Sequence, residues 1–480
     1  MYGVNKKKRG VYSFFLYKKQ SFSQTAIKGA EGMAKREKSG KGEFLKGALW
    51  IAVGGFIAKL IGALYRIPLT NLIGGRGLGL YQMVYPVYCL LLTVSATGIP
   101  SSIAKLTAEK IGKGEDDRQV FSLSMRLFLV VGLCGTVLMA IVAPFLAKAQ
   151  GSGEVLGGYY ALAPSVLLVS AISVFRGWFQ GRNKMYPTAL SEITEQAVKV
   201  GFGLFFSYLF RENIARAVVF LLLAVSLSEG VALCLMAYLY KRTPSSRKEV
   251  KEGGMVGVKA ILKLSIPVTL ASILLPISGL LDSVIVPRLL SAYEGDAVTV
   301  YGLFAGGAVT VVNLPVSICY GIAAASVPAV ARATATRGKG SSPRKRIFFS
   351  LLITVAVALP SVLGLYFFSE PAAKIIFRSL KGEELALLIG LIRAFSVSAL
   401  SLSLAQTLSA CLTAQGRPQY AAFSMFIGVA VKTVLYVCWL KNPQVSIYGL
   451  AYATNIGYVV VAALNFIFNI FVSRKRKANQ

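Results

Sequence analysis

Apolar residues in this chain fall into long runs, and the polar residues gather in the stretches between them. A helix needs about 20 predominantly apolar residues to cross a bilayer. Twelve runs reach that length: 44–66, 79–100, 121–147, 155–179, 186–210, 216–240, 258–287, 298–327, 346–369, 385–414, 419–440 and 447–472. The expected fold is an all-α polytopic membrane protein with about twelve transmembrane helices. The connections after even-numbered helices hold "KLTAEKIGKGEDDR", "GRNK", "KRTPSSRKEVKEGG", "RATATRGKGSSPRKR" and "GRPQ", and the chain stops at "SRKRKANQ". Those after odd-numbered helices hold little more than Arg76, Lys148, Arg211 with Arg216, Arg288, a short "KIIFRSLK" and Lys441. Positive residues stay on the cytoplasmic side of a plasma membrane, so both termini are predicted to be cytoplasmic.

The longest polar interruption, Lys241 to Gly257, leaves six helices on either side. The predicted organisation is a basic, disordered cytoplasmic tail (1–43), a six-helix bundle (44–240), a cytoplasmic linker (241–257), a second six-helix bundle (258–472) and a short basic tail (473–480). A duplication supports it. "FQGRNKMYPTALSEITEQAVKV" (Phe179 to Val200) echoes "AQGRPQYAAFSMFIGVAVKT" (Ala414 to Thr433), each with Gln-Gly-Arg at a turn, then Tyr, then Ala-Val-Lys after a two-residue gap. "TGIPSSIAKLTAEKIGKG" and "YGIAAASVPAVARATATRGKG" form a second pair, each closing a second or eighth helix. Two such halves of the same orientation place a transport path between them.

Composition narrows the function. The chain is 55% hydrophobic and 15% charged, against about 25% charged in an ordinary soluble protein. Its net charge of +32 sits mainly in the connections, so it reads as topology rather than as a nucleic-acid site. The six cysteines lie in apolar runs without a CxxC pair or metal-ligand spacing, and read as packing groups. No histidine is present, which removes the commonest general base, proton relay and zinc ligand together. "GGRGLGLY" resembles a phosphate loop but follows a membrane helix and lacks the GKS or GKT ending. "GEDDR" (Gly114 to Arg118) reads as a solvated connector. No enzyme and no cofactor are expected.

Charges inside the predicted spans carry the interest, because each is costly against lipid. Lys59 and Arg66 stand seven residues apart on the first helix, nearly two turns, and so share a face. Glu192, Glu195 and Lys199 share a face of the fifth, with Glu195 and Lys199 spaced for an i, i+4 ion pair. Lys432, the repeat partner of Lys199, lacks the neighbouring carboxylates. Asp282 in the seventh helix could hold a cation or answer a lysine across the cleft, and Asn313 adds a neutral polar group to the eighth. Glu229 and Arg393 are isolated intramembrane charges. Lys59, Arg66, Glu192, Glu195, Lys199, Asp282, Asn313 and Arg393 are therefore the expected substrate-binding residues.

The segment "GALYRIPLTNLIGGRGLGLYQMVYPVYCLLLTVSATGIPSSIAKLTAE" resembles the start of the stage V sporulation protein B and polysaccharide biosynthesis protein family. That family is part of the multidrug/oligosaccharidyl-lipid/polysaccharide exporter superfamily and is related to the lipid II flippases. The resemblance covers essentially 44–472, with Tyr-Arg-Ile-Pro, Gly-Leu-Tyr-Gln and Gly-Ile-Pro its most specific segments. It implies two six-helix bundles around a central cavity that opens alternately to either side. The implied activity is flipping of undecaprenyl-pyrophosphate-linked saccharide across a bacterial plasma membrane, with Na+, H+ or the membrane potential as drive. Membrane lipids and cell-wall or polysaccharide synthesis proteins are the implied partners. Lys59 and Arg66 match positions where the lipid II flippases carry first-helix arginines, and cations there would attract a pyrophosphate. Three departures stand out. The flippase arginines of the second and eighth helices fall near Cys89 or Leu90 and near Thr310, the carboxylate after the first-helix arginine is Ile67, and the two extra C-terminal helices of many members have no counterpart. The alternative is a cation-coupled multidrug antiporter of the same superfamily, which would want an acidic cavity.

Overall fold

The computed structural model describes residues 64–243, 257–335 and 343–478, with a few positions between 54 and 62. The expected N-terminal tail, most of the linker and Lys59 lie outside the described residues. What is described is helical and contains no strand, as the apolar runs predict. In chain order the helices are α1 (64–92), α2 (Ile99–Gly112), α3 (Arg118–Gln150), α4 (Leu156–Gly181), α5 (Tyr186–Leu209), α6 (Ile214–Arg242), α7 (Val258–Ser272) and α8 (Leu274–Leu290). They continue with α9 (Ala297–Gly302), α10 (Val309–Ala335), α11 (Pro343–Phe367), α12 (Ser369–Ile376), α13 (Gly382–Phe395), α14 (Ser398–Ala414), α15 (Pro418–Trp439) and α16 (Tyr448–Ala478). Turns of π-helix, Thr93–Thr97 and Leu303–Ala308, lead into α2 and α10.

Among the described residues eight helices are long and apolar enough to span a membrane, or nine if α13 and α14, bent by 44°, make one span. The expected count of twelve is not reached, for local reasons. The run 258–287 is broken at Ile273 into α7 and α8, of 15 and 17 residues, each short of a full crossing. α5 carries three charges, Glu192, Glu195 and Lys199, and is not among the eight. The first two predicted helices merge into one helical stretch, Leu64–Gly112.

That stretch folds back on itself. Arg66 and Tyr81 would stand about 22 Å apart along a straight helix, yet both line one cavity. The reversal falls at Gly74, whose φ of 65° is left-handed and costs a glycine nothing sterically. α1 therefore has two antiparallel limbs, and the helical residues that lead into the first pack on α5: a methyl group at Gly54 would come within 2.6 Å of the Ala189 Cβ.

The cores report how the halves sit together. At the end away from the basic connections one apolar core takes residues from both halves: Ala147, Val155 and Tyr159 with Leu290, Ala297, Phe377 and Leu440. At the basic end it divides. Ile103, Phe128, Phe175, Trp178 and Met236 form one cluster, joined from beyond the linker by Ile261 and Leu264 of α7. Val330, Ile347, Leu408 and Cys411 form another. α7 packs mainly on α2 and α3 and also meets α15, while α8 packs on α15 and also on α3, so this broken helix bridges the two halves on one side.

The polar connector "GEDDR" departs from expectation. Asp117 is only 3% exposed and receives two bonds from Arg182, 2.6 Å from Nε and 2.8 Å from Nη2. Arg182 also lies over the Trp178 ring at 4.0 Å. Its turn arginine thus clasps α4 to the start of α3. Glu115, in the same connector, accepts from Lys110, and that bond holds its carboxyl below the usual range.

Candidate functional site

Between the halves lies a cavity of ≈ 320 Å³. One wall is α1, with Arg66 on its first limb and Tyr81, Gln82 and Tyr85 on its second. α5 contributes Lys199, and the opposite wall is α10 with Thr310, Asn313 and Ser317. The positions are set by helical spacing. Residues 78, 81, 82 and 85 recur at i, i+3, i+4 and i+7, and 310, 313 and 317 at i, i+3 and i+7, so each set faces one way.

Arg66 crosses the cavity: its Nη1 donates to Thr310 Oγ1 at 2.7 Å. Thr310 donates in turn to Gly306 O at 2.6 Å, inside the π turn, where the helical ladder leaves carbonyls open to other donors. Gln82 Nε2 uses another of these, donating to Ala305 O at 2.7 Å. Lys199 has no hydrogen-bond or ion-pair partner among the described residues. The charged residues among the described lining are Arg66 and Lys199, and no carboxylate is among them. The cavity is cationic.

Behind Lys199 the first half holds a buried polar cluster. Glu195 does not pair with Lys199 as its spacing suggests: its Oε2 accepts from Arg176 Nη2 of α4 at 3.1 Å. Arg176 also donates through Nε to Ser191 Oγ at 2.9 Å. A partner on a neighbouring helix, already fixed by packing, competes well with one on the same helix, where the pair is worth a few tenths of a kcal/mol. Glu192 lies beside the first limb of α1, its Oε2 3.7 Å from where a Gly55 methyl would stand. It shares α5 with Lys199 but does not line the cavity.

Asp282 does answer a lysine, though not across the cleft. Its partner is Lys432 of α15, in the same half, and Lys432 also donates to Ser278 Oγ at 3.1 Å. Lys432 therefore takes a carboxylate from another helix, and the two lysines aligned by the repeat do different work. Lys432 is buried in an ion pair, and Lys199 faces the cavity. Arg393 is exposed and donates to Ser369 Oγ at 2.7 Å at the start of α12, so it is not brought to the cavity. Of the expected residues the structure brings together Arg66, Lys199 and Asn313. Sequence reasoning missed Tyr81, Gln82, Tyr85, Thr310 and Ser317 as wall residues, although their helical spacing inside apolar runs was a usable signal. It also missed Arg176, whose partner comes from a different helix.

The chain's similarities agree with this architecture. Across 439 residues it is 27% identical to stage V sporulation protein B of Bacillus subtilis (strain 168), covering 88% of this chain and 83% of that one. Across 455 residues it is 24% identical to the lipid II flippase MurJ of the same organism, covering 88% and 82%. It superposes with a TM-score of 0.74 on a multidrug resistance MATE family transporter of the MOP superfamily in its inward-facing conformation, at 17% identity, covering 90% of this chain and all of that one. The score against the outward-facing conformation of a MATE family transporter is 0.63, at 18% identity, covering 90% and 96%. The fold is that of these transporters, and the relatives are flippases and transporters rather than catalysts. Residues 44–334 match the model of the polysaccharide biosynthesis protein family, and this multi-pass membrane protein belongs to it.

Proposed function

We propose that this protein moves an undecaprenyl-pyrophosphate-linked saccharide, lipid II or a related polysaccharide precursor, across the bacterial plasma membrane by alternating access. The observation that carries this reading is the cationic cavity between the halves, with Arg66 and Lys199 as its charged described lining residues. A pyrophosphate presents oxygens that a guanidinium grips two at a time and an ammonium attracts as a point charge. Arg66 would exchange its neutral partner Thr310 for phosphate oxygens, which is a favourable trade. The basic end, where the apolar core divides, would face the cytoplasm and admit the headgroup, with both termini on that side. The fold also suits a multidrug antiporter, but a cationic drug would meet Arg66 and Lys199 with no carboxylate among the described lining residues.

The test is leaflet translocation of labelled undecaprenyl-pyrophosphate saccharides in proteoliposomes, lipid II first. Wild type should flip the lipid. Arg66→Ala should lose about ten- to hundredfold, as expected when a charge-assisted bond worth about 1.5–3 kcal/mol goes. Equal flipping by Arg66→Ala would remove the phosphate-grip reading.

A further inference from the structure

Glu229 of α6 is not needed to explain the cavity, and its surroundings are unusual. It is 4% exposed, at the centre of the first half. Its Oε1 accepts from Tyr88 Oη at a long 3.4 Å, and its Oε2 has no partner. An ionised carboxylate wants hydrogen-bond donors at both oxygens and is costly to bury without them. The charged groups that face it come from two helices: Arg176 of α4, with Glu195 and Lys199 of α5. Arg176 is already engaged by Glu195 and Ser191. Lys199, one turn beyond Glu195, faces the cavity. No cation is therefore hydrogen-bonded to Glu229 itself among the described residues.

A row of phenols lies between this carboxyl group and the cavity. Tyr81 and Tyr85 line the cavity and stack with ring centroids 5.0 Å apart. Tyr85 and Tyr88 follow at 5.7 Å, and Tyr88 reaches Glu229. Successive turns of one helix limb thus carry phenol groups from the cavity wall to a buried acid. A phenol hydroxyl can accept one proton and pass on another.

We propose that Glu229 is a proton-exchange site served from the cavity through Tyr81, Tyr85 and Tyr88, and that its charge sets how strongly the cavity attracts an anionic substrate. The step balances simply. A proton from cavity water is relayed along the hydroxyls and ends on Glu229 Oε1, the oxygen that Tyr88 faces, each tyrosine giving up the proton it held and receiving another, and the side chain passes from −1 to neutral. With Glu229 neutral, the region behind Lys199 carries one negative charge fewer, and the cavity attracts phosphate more strongly. Binding of an anion and uptake of a proton then favour each other, as linkage requires. The consequence for transport rests on the flippase reading, whereas the proton site does not.

Two measurements separate these layers. Infrared difference spectra of the purified full-length protein between acid and alkaline pH should show the carbonyl band of a buried neutral carboxyl group, and Glu229→Gln should lose that band. Tyr88→Phe should keep the band and slow its appearance after a pH jump. A spectrum unchanged by Glu229→Gln overturns the site, and an unchanged rate in Tyr88→Phe overturns the path. The second measurement is inorganic pyrophosphate binding followed in buffers of different ionisation enthalpy. Wild type should take up protons on binding, and Glu229→Gln should bind with that uptake lost. Proton uptake that persists in Glu229→Gln would overturn the coupling. Failure of every lipid-linked saccharide to move would overturn the flippase reading and leave the infrared result standing.

Discussion

The two aligned lysines show how much a residue's role depends on what stands opposite it. Lys432 is buried against Asp282, with exposures of 9% and 16% for the two side chains, and both would suffer from losing the other. Asp282→Asn should destabilise the protein by about 3–5 kcal/mol, because it strands a buried ammonium. The double replacement Asp282→Leu with Lys432→Met should recover most of that, and thermal unfolding in detergent would compare the three. Lys199 is different. Nothing among the described residues holds it, so Lys199→Gln should leave unfolding unchanged within about 0.5 kcal/mol. It should weaken pyrophosphate binding several-fold, with the loss greatest at low salt, where charges are least screened. Thr310 stands where an arginine would have been expected, and it serves as the acceptor for Arg66 instead of adding a third positive charge.

Among the elements, the glycines of "GGRGLGLY" find a role that a phosphate-loop reading could not supply. α1 and α9 cross here, the first half against the second, at a spacing only glycine allows. A methyl group at Gly79 would come within 2.0 Å of Val298 O, and one at Gly302 within 2.3 Å of Gly75 O. Both obstacles are backbone and cannot swing aside. Gly79→Ala and Gly302→Ala should each cost about 1–3 kcal/mol by forcing the helices apart, read as a lower midpoint of thermal unfolding. Small residues at close crossings are the usual means by which helices associate where lipid removes the hydrophobic drive. Helix breaks have their own consequence: α7 and α8, parted at Ile273, each reach both halves, α7 mainly the first and α8 mainly the second.

For the whole molecule, one end is shut and the other divided. At the shut end Arg76 bonds Glu154 of its own half at 3.1 Å and Asp296 of the other half at 3.1 Å. Asn71 adds a second tie, donating to Ile376 O at 3.0 Å. Burial works to raise the Asp296 carboxyl, but the Thr299 hydroxyl and amide, with Arg76, outweigh it and hold the group below its usual range. The sign follows from that. A lowered folded-state value gives stability that is present above the ordinary carboxylate range of about 3.9 and is lost as pH falls through the lowered value. The pair is more than two-fifths exposed, so its worth is at most about 1 kcal/mol and screened by salt. Arg76→Ala, strong acid and high salt should all shift the population towards a state open at this end. Spin labels placed on either side of that end would report the longer distance.

Some of this was fixed along the chain alone. Long apolar runs with basic connections dictate a helical, multi-pass protein, because backbone groups in lipid must be satisfied within each segment. The Tyr-Arg-Ile-Pro and Gly-Leu-Tyr-Gln segments pointed to the family, and charged and polar residues inside apolar runs brought Arg66, Lys199 and Asn313 forward. Helical periodicity says which side chains share a face. It does not say what that face meets, so Glu195 went to Arg176, Asp282 to Lys432 and Arg393 to the surface only once the helices were packed. The count of twelve spans is not confirmed for the same reason, since whether a helix is broken, as at Ile273, is decided by where each part packs. The pairing of buried charges and the crossing of backbones at Gly79 depend on distances between segments far apart in the chain. Those distances belong to the tertiary structure.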